Sequence, residues 1–313
     1  MSYQFLKSAS ALLVASTLLS ACGSKPETSA KEVTPETLTT RVDQFQGAAA
    51  NQKVAVIVGK DIVGVIPHDG GKPTRVEIKG TASLIDVATC ADGSFVALDF
   101  YRKVWTSTDD GHSWTSKATP GTWRPLGVTC GPANSYWVVG SNSTIANSSD
   151  RGTTWKIDSN GEDAMFNTVQ FIDAQNAVVT GEFGTVKRSS DGGKSWATSS
   201  IGPEFYPYAA LFVSPQEGYV TSLTGTIMRT KNGGGSWEKT NNATGLSQFG
   251  LAKVDGRVYS VGLGGVVLRL DGNQWVPVKI EGFGAPFLKG VVAVKGGFLV
   301  AGGNGAWKVV TVK

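Results

Sequence analysis

Four tryptophans recur at a strict interval of 41 residues: Trp114, Trp155, Trp196 and Trp237. A period of about 40 residues marks a chain that repeats one supersecondary unit, which buries its apolar face only against copies of itself. Each tryptophan closes an eight-residue segment. The segments read Ser107-Thr-Asp109-Asp-Gly111-His-Ser113-Trp114 and Ser148-Ser-Asp150-Arg-Gly152-Thr-Thr154-Trp155. The next two are Ser189-Ser-Asp191-Gly-Gly193-Lys-Ser195-Trp196 and Thr230-Lys-Asn232-Gly-Gly234-Gly-Ser236-Trp237. Weaker copies stand at Asp69-Gly-Gly-Lys72 and Asp271-Gly-Asn-Gln-Trp275. Upstream of each segment lie three short β runs, as in Thr168 to Ile172, Ala177 to Gly181 and Thr185 to Arg188. The residues after the tryptophan supply a fourth. Four strands per repeat predict the blades of an all-β propeller.

The eight-residue pattern resembles the Asp-box, or BNR repeat. Its chemistry is that of a turn. A carboxylate accepts backbone N–H groups, the Ser or Thr hydroxyl does likewise, and glycine tolerates positive φ. The aspartates Asp109, Asp150 and Asp191 are therefore read as structural rather than as catalytic acids or calcium ligands. So are Gly111, Gly152, Gly193 and Gly234 with the four tryptophans. Asn232 keeps the acceptor without the charge, which predicts a weaker turn. Third-strand segments near Ile62, Val104, Ile145, Val186, Ile227, Val267 and Trp307 predict seven blades, or six if the first is not a true blade. The last repeat stops before a fourth strand, so Leu38 to Val42 is expected to fill that gap as an N-terminal strand and close the ring.

The first residues read as an address. Lys7 precedes an apolar stretch, Ala9 to Leu19, too short for an ordinary membrane span. Leu19-Ser-Ala-Cys22 resembles a bacterial lipobox, implying a signal peptide over 1–21 and acylation of Cys22. Residues 22–35 are rich in Lys, Pro, Glu, Thr and Ser and read as a disordered tether, with the propeller over 36–313. Gly23 in place of aspartate favours the outer membrane, facing the periplasm. The bilayer is thus one expected partner, reached through Cys22. The formal charge of +4 is too small to mark a nucleic-acid binder.

Cys90 and Cys130 fall at matching places in adjacent repeats and form a possible disulfide in an oxidising compartment. They have no metal-ligand spacing, and no cofactor is expected. His68 and His112, the chain's two histidines, sit in or beside box turns with no nucleophile at motif spacing. Sialidases also carry Asp-boxes, so a glycoside hydrolase or glycan binder is the alternative. Their arginine triad is not apparent here, and no catalytic residue is assigned.

The fuller repeat, Val169-Gln-Phe171-Ile-Asp173 followed by Gly184-Thr-Val186 and the box, resembles the photosystem II assembly/stability factor family over about residues 45 to 313. That resemblance implies a non-enzymatic scaffold for a membrane or envelope protein. Box hairpins join the third and fourth strands, so the opposite face carries the loops between second and third strands and those between successive blades. Phe100, Tyr101, Arg102, Trp123, Arg124, Phe166, Glu182, Phe183, Glu204, Phe205, Tyr206 and Tyr208 are expected there as a partner-binding face, because aromatics and arginine anchor interfaces. Arg188, Arg229 and Arg269 recur before the boxes and form a candidate second, basic surface.

Overall fold

The computed structural model describes residues 38–78 and 83–312. Cys22, the leader and the tether lie outside the described residues. Seven antiparallel sheets form a ring of seven blades. Blade 1 comprises Phe45–Ala50, Val54–Gly59, Ile62–Pro67 and Thr74–Glu77. Blade 2 comprises Leu84–Thr89, Phe95–Asp99, Lys103–Ser107 and Thr115–Ala118. Blade 3 is Pro125–Cys130, Tyr136–Gly140, Thr144–Ser148 and Lys156–Asp158, and blade 4 is Phe166–Phe171, Ala177–Gly181, Thr185–Ser189 and Ala197–Ser200. Blade 5 is Pro207–Phe212, Gly218–Ser222, Ile227–Thr230 and Glu238–Lys239. Blade 6 is Gln248–Val254, Arg257–Gly262, Val267–Asp271 and Gln274–Pro277, to which Asn241–Asn242 adds in parallel. Blade 7 has three strands: Leu288–Val294, Gly297–Gly302 and Trp307–Thr311.

The burial pattern follows position in the blade. Second strands such as Val54–Gly59 and Ala177–Gly181 are buried on both faces, which is why they read as unbroken runs rather than alternating ones. Outer strands such as Thr115–Ala118 are exposed throughout. Each junction between blades has its own apolar cluster. Val56, Val58 and Val65 of blade 1 meet Leu84, Phe95 and Trp105 of blade 2. At the last junction Ile57 and Ile62 of blade 1 meet Leu299 and Ala301 of blade 7.

That junction closes differently from the sequence expectation. Leu38 to Val42 is a turn and not a strand. The Asp43 carboxylate accepts the Thr40 N–H at 2.6 Å and pairs with Arg75 at 2.7 Å, which bends the chain. The Asp43 carbonyl then accepts the Gly305 N–H of blade 7 at 2.7 Å, and Leu38 packs into the junction cluster. A buried ion pair and a plug of one leucine stand where a fourth strand was expected.

The box hairpins share one hydrogen-bond frame. In blade 4 the Ser189 hydroxyl donates to Asp191 Oδ1 at 2.8 Å and accepts the Gly193 N–H at 2.8 Å, while Ser195 N–H donates to Asp191 Oδ1 at 3.0 Å. Asp150 is held the same way by Ser148 and Thr154, and Asp109 by Ser107 and Ser113. Asn232 keeps the acceptor role toward Ser236 N–H at 2.8 Å, and its own amide donates to the Ser236 hydroxyl at 3.0 Å. A Cβ on Gly193 would strike the ring of Trp137 in blade 3, and Trp196 packs edge-on against that ring at 6.3 Å. The box is thus both a turn and an interblade contact. The segment at Asp271 departs from this: it is a tight hairpin with Asp271 opposite Gln274, and Trp275 is a wholly buried strand residue.

Hydrogen bonds from the Thr154 hydroxyl and N–H hold the Asp150 carboxyl well below its ordinary range, and Ser195 does the same for Asp191. At Asp109 burial opposes this, but the bonds from Ser113 and Ser107 prevail. A carboxyl whose pKa is lower folded than unfolded contributes stability above its unfolded value, near 3.9, and loses it as pH falls further. Stability is therefore expected to be flat from pH 7 to about 5 and to fall below about pH 4. Asp191→Asn should flatten part of that acid limb in urea titrations. An unchanged limb would show that the box carboxylates are not its cause.

Candidate functional site: the face opposite the boxes and its channel mouth

The two faces of the ring are built differently. On the box face, side chains are engaged between blades. Asp110 receives Asn51 Nδ2 at 2.9 Å and Lys53 Nζ at 3.0 Å, and Arg151 pairs with Asp92 at 2.6 Å. Cys90 and Cys130 are bonded there, with Cα atoms 5.0 Å apart. The expected basic surface does not form. Arg188 donates to the carbonyls of Gly233 and Pro215 of blade 5, and Arg229 pairs with Glu217 over the Tyr219 ring. Arg269 is half-buried in its strand. Arg188 joins two blades and Arg229 is paired with a local acid, so neither adds free charge to a cationic stripe.

The opposite face carries the exposed apolar side chains. Among the described residues, apart from Val42, Ile157 and Val309, every large exposed hydrophobe lies in loops of this face: Phe100, Tyr101, Met165, Phe183, Tyr206, Leu223, Leu246 and Leu263. Phe183 is 48% exposed and stacks at 5.7 Å on Tyr206, 46% exposed, from the loop entering blade 5. Phe100 stands beside Tyr101 at 5.8 Å, and the Arg124 guanidinium lies 5.1 Å over its ring. Arg102 donates to the Gly121 carbonyl at 2.7 Å. Glu204 is exposed and Phe205 half-buried, while Glu182 accepts the Met165 N–H at 2.9 Å. Two expected residues are buried between blades. Trp123 is buried in the cluster between blades 2 and 3, and Phe166 is buried between blades 3 and 4. Trp123 just precedes its inner strand and Phe166 begins its own, and both rings pack between blades instead of facing solvent.

Met165, in a loop between blades, is expected on this face from the sequence, whereas sequence reasoning missed Leu223, Leu246 and Leu263. Single aliphatic residues in loops carry no periodic signal; only their shared place in the repeat would have revealed them.

A second feature lies at the centre of this face. Each inner strand carries a bulge near its start, where one or two residues oppose none on the second strand. Bulges re-aim side chains. Here they turn Gln46, Ile85, Leu126, Asn167, Tyr208, Phe249 and Lys289 into the lining of a central channel of about 760 Å³. The expected Tyr208 is therefore a channel residue, stacked on Phe249 at 5.3 Å, and not a loop residue. Glycine ends the second strand beside most of these bulges. A Cβ on Gly140, Gly262 or Gly302 would come within 2.0 Å of the carbonyl of the incoming loop. Among the described residues no cluster of three potential ligands could hold a metal ion.

Residues 65–190 match the family model described as Photosynthesis system II assembly factor YCF48. That stretch runs from the third strand of blade 1 into the box of blade 4. The chain is an Asp-box β-propeller that resembles the photosystem II assembly factors. Solved structures share the ring at low identity. YCF48 from Cyanidioschyzon merolae is 17% identical, with a TM-score of 0.67 over 86% of this chain and 95% of that one. YCF48 bound to D1 peptide is 14% identical, with a TM-score of 0.58 over 75% and 77%. A catalytically inactive virginiamycin B lyase from Staphylococcus aureus, solved with quinupristin, is 15% identical with a TM-score of 0.72 over 87% and 96%. Likeness at these identities speaks to the fold alone. No curated protein matches significantly.

Among the described residues eleven non-glycines have positive φ, and Phe183 is the one aromatic residue of that group. Phe183 has φ of 58° and precedes Gly184 at 65°, the two central positions of a tight hairpin. Such turns favour Asn-Gly, because a left-handed residue with a bulky side chain costs about 1–2 kcal/mol. Phe183 bears that cost while leaving half its ring in solvent. Phe183→Asn is therefore expected to raise stability by up to about 1 kcal/mol in thermal or urea unfolding. A loss of stability would show that the ring is held for packing.

Proposed function

We propose that this protein is a non-enzymatic scaffold of the bacterial envelope. Acylated Cys22 tethers it to the outer membrane on the periplasmic side, and it docks a membrane or envelope protein on the face opposite the boxes. The observation that carries the reading is the concentration of exposed aromatic and aliphatic side chains on that one face, with Phe183 held there at a backbone cost. Exposed apolar side chains gathered on one face are the kind of surface that marks interaction sites. The family likeness supports an assembly role, and the YCF48 structure solved with a D1 peptide supports a polypeptide as the client class.

The lyase likeness raises an enzymatic reading, since that enzyme is named as inactivated by replacing a histidine. This chain's two histidines both lie in hairpins of the box face, His68 after the third strand of blade 1 and His112 in the blade 2 box. Neither lines the channel. The sialidase-like alternative meets a similar difficulty, because Arg188 and Arg229 are committed between and within blades.

The docking face is tested by affinity capture from detergent-solubilised membranes. Phe183→Ala with Tyr206→Ala is expected to reduce partner recovery at least ~10-fold, as loss of interface anchors does. Ile157→Ala, on the exposed outer strand of blade 3, should leave recovery unchanged. Full recovery by the double variant would place docking elsewhere. Cys22→Ser is expected to move the protein from the membrane fraction to the soluble periplasmic fraction. Its retention in membranes would contradict the lipid tether.

A further inference from the structure

Among the seven bulge side chains of the channel mouth, Lys289 alone is charged. Its Nζ stands 3.4 Å from Gln46 Oε1, 3.4 Å from the Ile85 carbonyl and 5.9 Å from the centre of the Tyr208 ring. Those groups belong to blades 1, 2 and 5, so the ammonium of blade 7 reaches across the channel. Hydrogen bonds from an ammonium ordinarily run to about 2.7–2.9 Å when an anion accepts them. Here the contacts are long and the acceptors neutral. Asp86, a carboxylate of the same channel wall, is turned away from this role. Its Oδ1 accepts the Val87 N–H at 2.9 Å and its Oδ2 the Val128 N–H at 2.9 Å. Among the described residues no carboxylate lies within ion-pair distance of Lys289 Nζ.

A half-buried ammonium with no carboxylate at ion-pair distance costs free energy that an incoming anion recovers. Lys289 is half-buried, and its amine lies inside the channel lining. Burial lowers the Lys289 pKa and raises that of Asp86, each opposed by the other's charge. The wall beside Nζ is aromatic, formed by Tyr208 and Phe249. Phe100 both lines the channel and stands exposed on the docking face, so the two surfaces are continuous.

We propose that the channel mouth receives a carboxylate borne on a protein segment of the docked partner, which ion-pairs with Lys289 while Tyr208 and Phe249 pack its apolar neighbour. This inference rests on the reading of the surrounding face as the docking surface. The carboxylate is either a chain terminus or an acidic side chain. Both present the same chemistry to Lys289, and the test separates them.

The probe is the lysine side-chain carbon signal of Lys289 in protein carrying ¹³Cε-lysine, assigned by its absence in Lys289→Met. The protein is titrated with N-acetyl-phenylalanine, with its amide, and with the α-amide of N-acetyl-glutamic acid. A free carboxylate is expected to shift the signal saturably and to bind at least ~10-fold tighter than the neutral amide. Preference for N-acetyl-phenylalanine assigns a chain terminus; preference for the glutamic compound assigns a side chain. Equal binding of acid and amide, or no movement of the Lys289 signal, overturns the proposal. In the capture experiment Lys289→Met, with an unchanged melting temperature, should also lower recovery, and Lys289→Arg should restore part of it. If Lys289→Met captures normally while the Phe183/Tyr206 variant does not, the channel proposal fails and the docking face stands.

Discussion

A ring of blades holds together only if its first and last members meet, and here that junction is carried by apolar contact rather than by a shared strand. Ile57, Ile62 and Ile66 of blade 1 pack with Leu299 and Ala301 of blade 7 and with Leu38. Each large side chain buried there contributes roughly 1.5–3 kcal/mol. The Arg75–Asp43 pair beside them is mostly buried, and such pairs often contribute little net stability while costing several kcal/mol when one partner is removed. The cluster therefore closes the ring, and the ion pair fixes the turn that delivers Leu38 to it. Every junction around the ring uses the same kind of cluster, so the closing junction is not a weak point that needed an extra strand.

Closure divides the molecule into two faces with different duties. On one, box hairpins, the Cys90–Cys130 bond and interblade pairs such as Arg151–Asp92 tie neighbouring blades. On the other, short hairpins project rings and aliphatic chains into solvent with few partners. The channel mouth belongs to the second face, since the bulges that line it lie at the strand ends where that face's loops enter.

The fold was largely legible in the sequence, because the tryptophan period gives the length of the repeat and the box gives its register. The third-strand residues from Ile62 to Trp307 all lie in third strands as expected. Local β character failed at Leu38 to Val42, where the Asp43 carboxylate captures a backbone N–H and turns the chain. The site was less legible. Exposed Phe100, Tyr101, Phe183 and Tyr206 follow from their loop positions, but Trp123, two residues before its inner strand, and Phe166, the first residue of its own, are buried between blades. The bulges carry no mark in sequence. One extra residue in a short strand shifts Lys289 or Phe249 toward the axis without changing the pattern around it.

The central claim is that the loops opposite the boxes, and not the box hairpins, meet the partner. Site-specific photo-crosslinking in intact cells tests it most directly, with a photoreactive phenylalanine analogue placed singly at Leu223 or Leu263 on one face and at Lys194 or His112 on the other. The account predicts discrete adducts to the same partner from Leu223 and Leu263 and none from Lys194 or His112. Adducts confined to the box positions would contradict it.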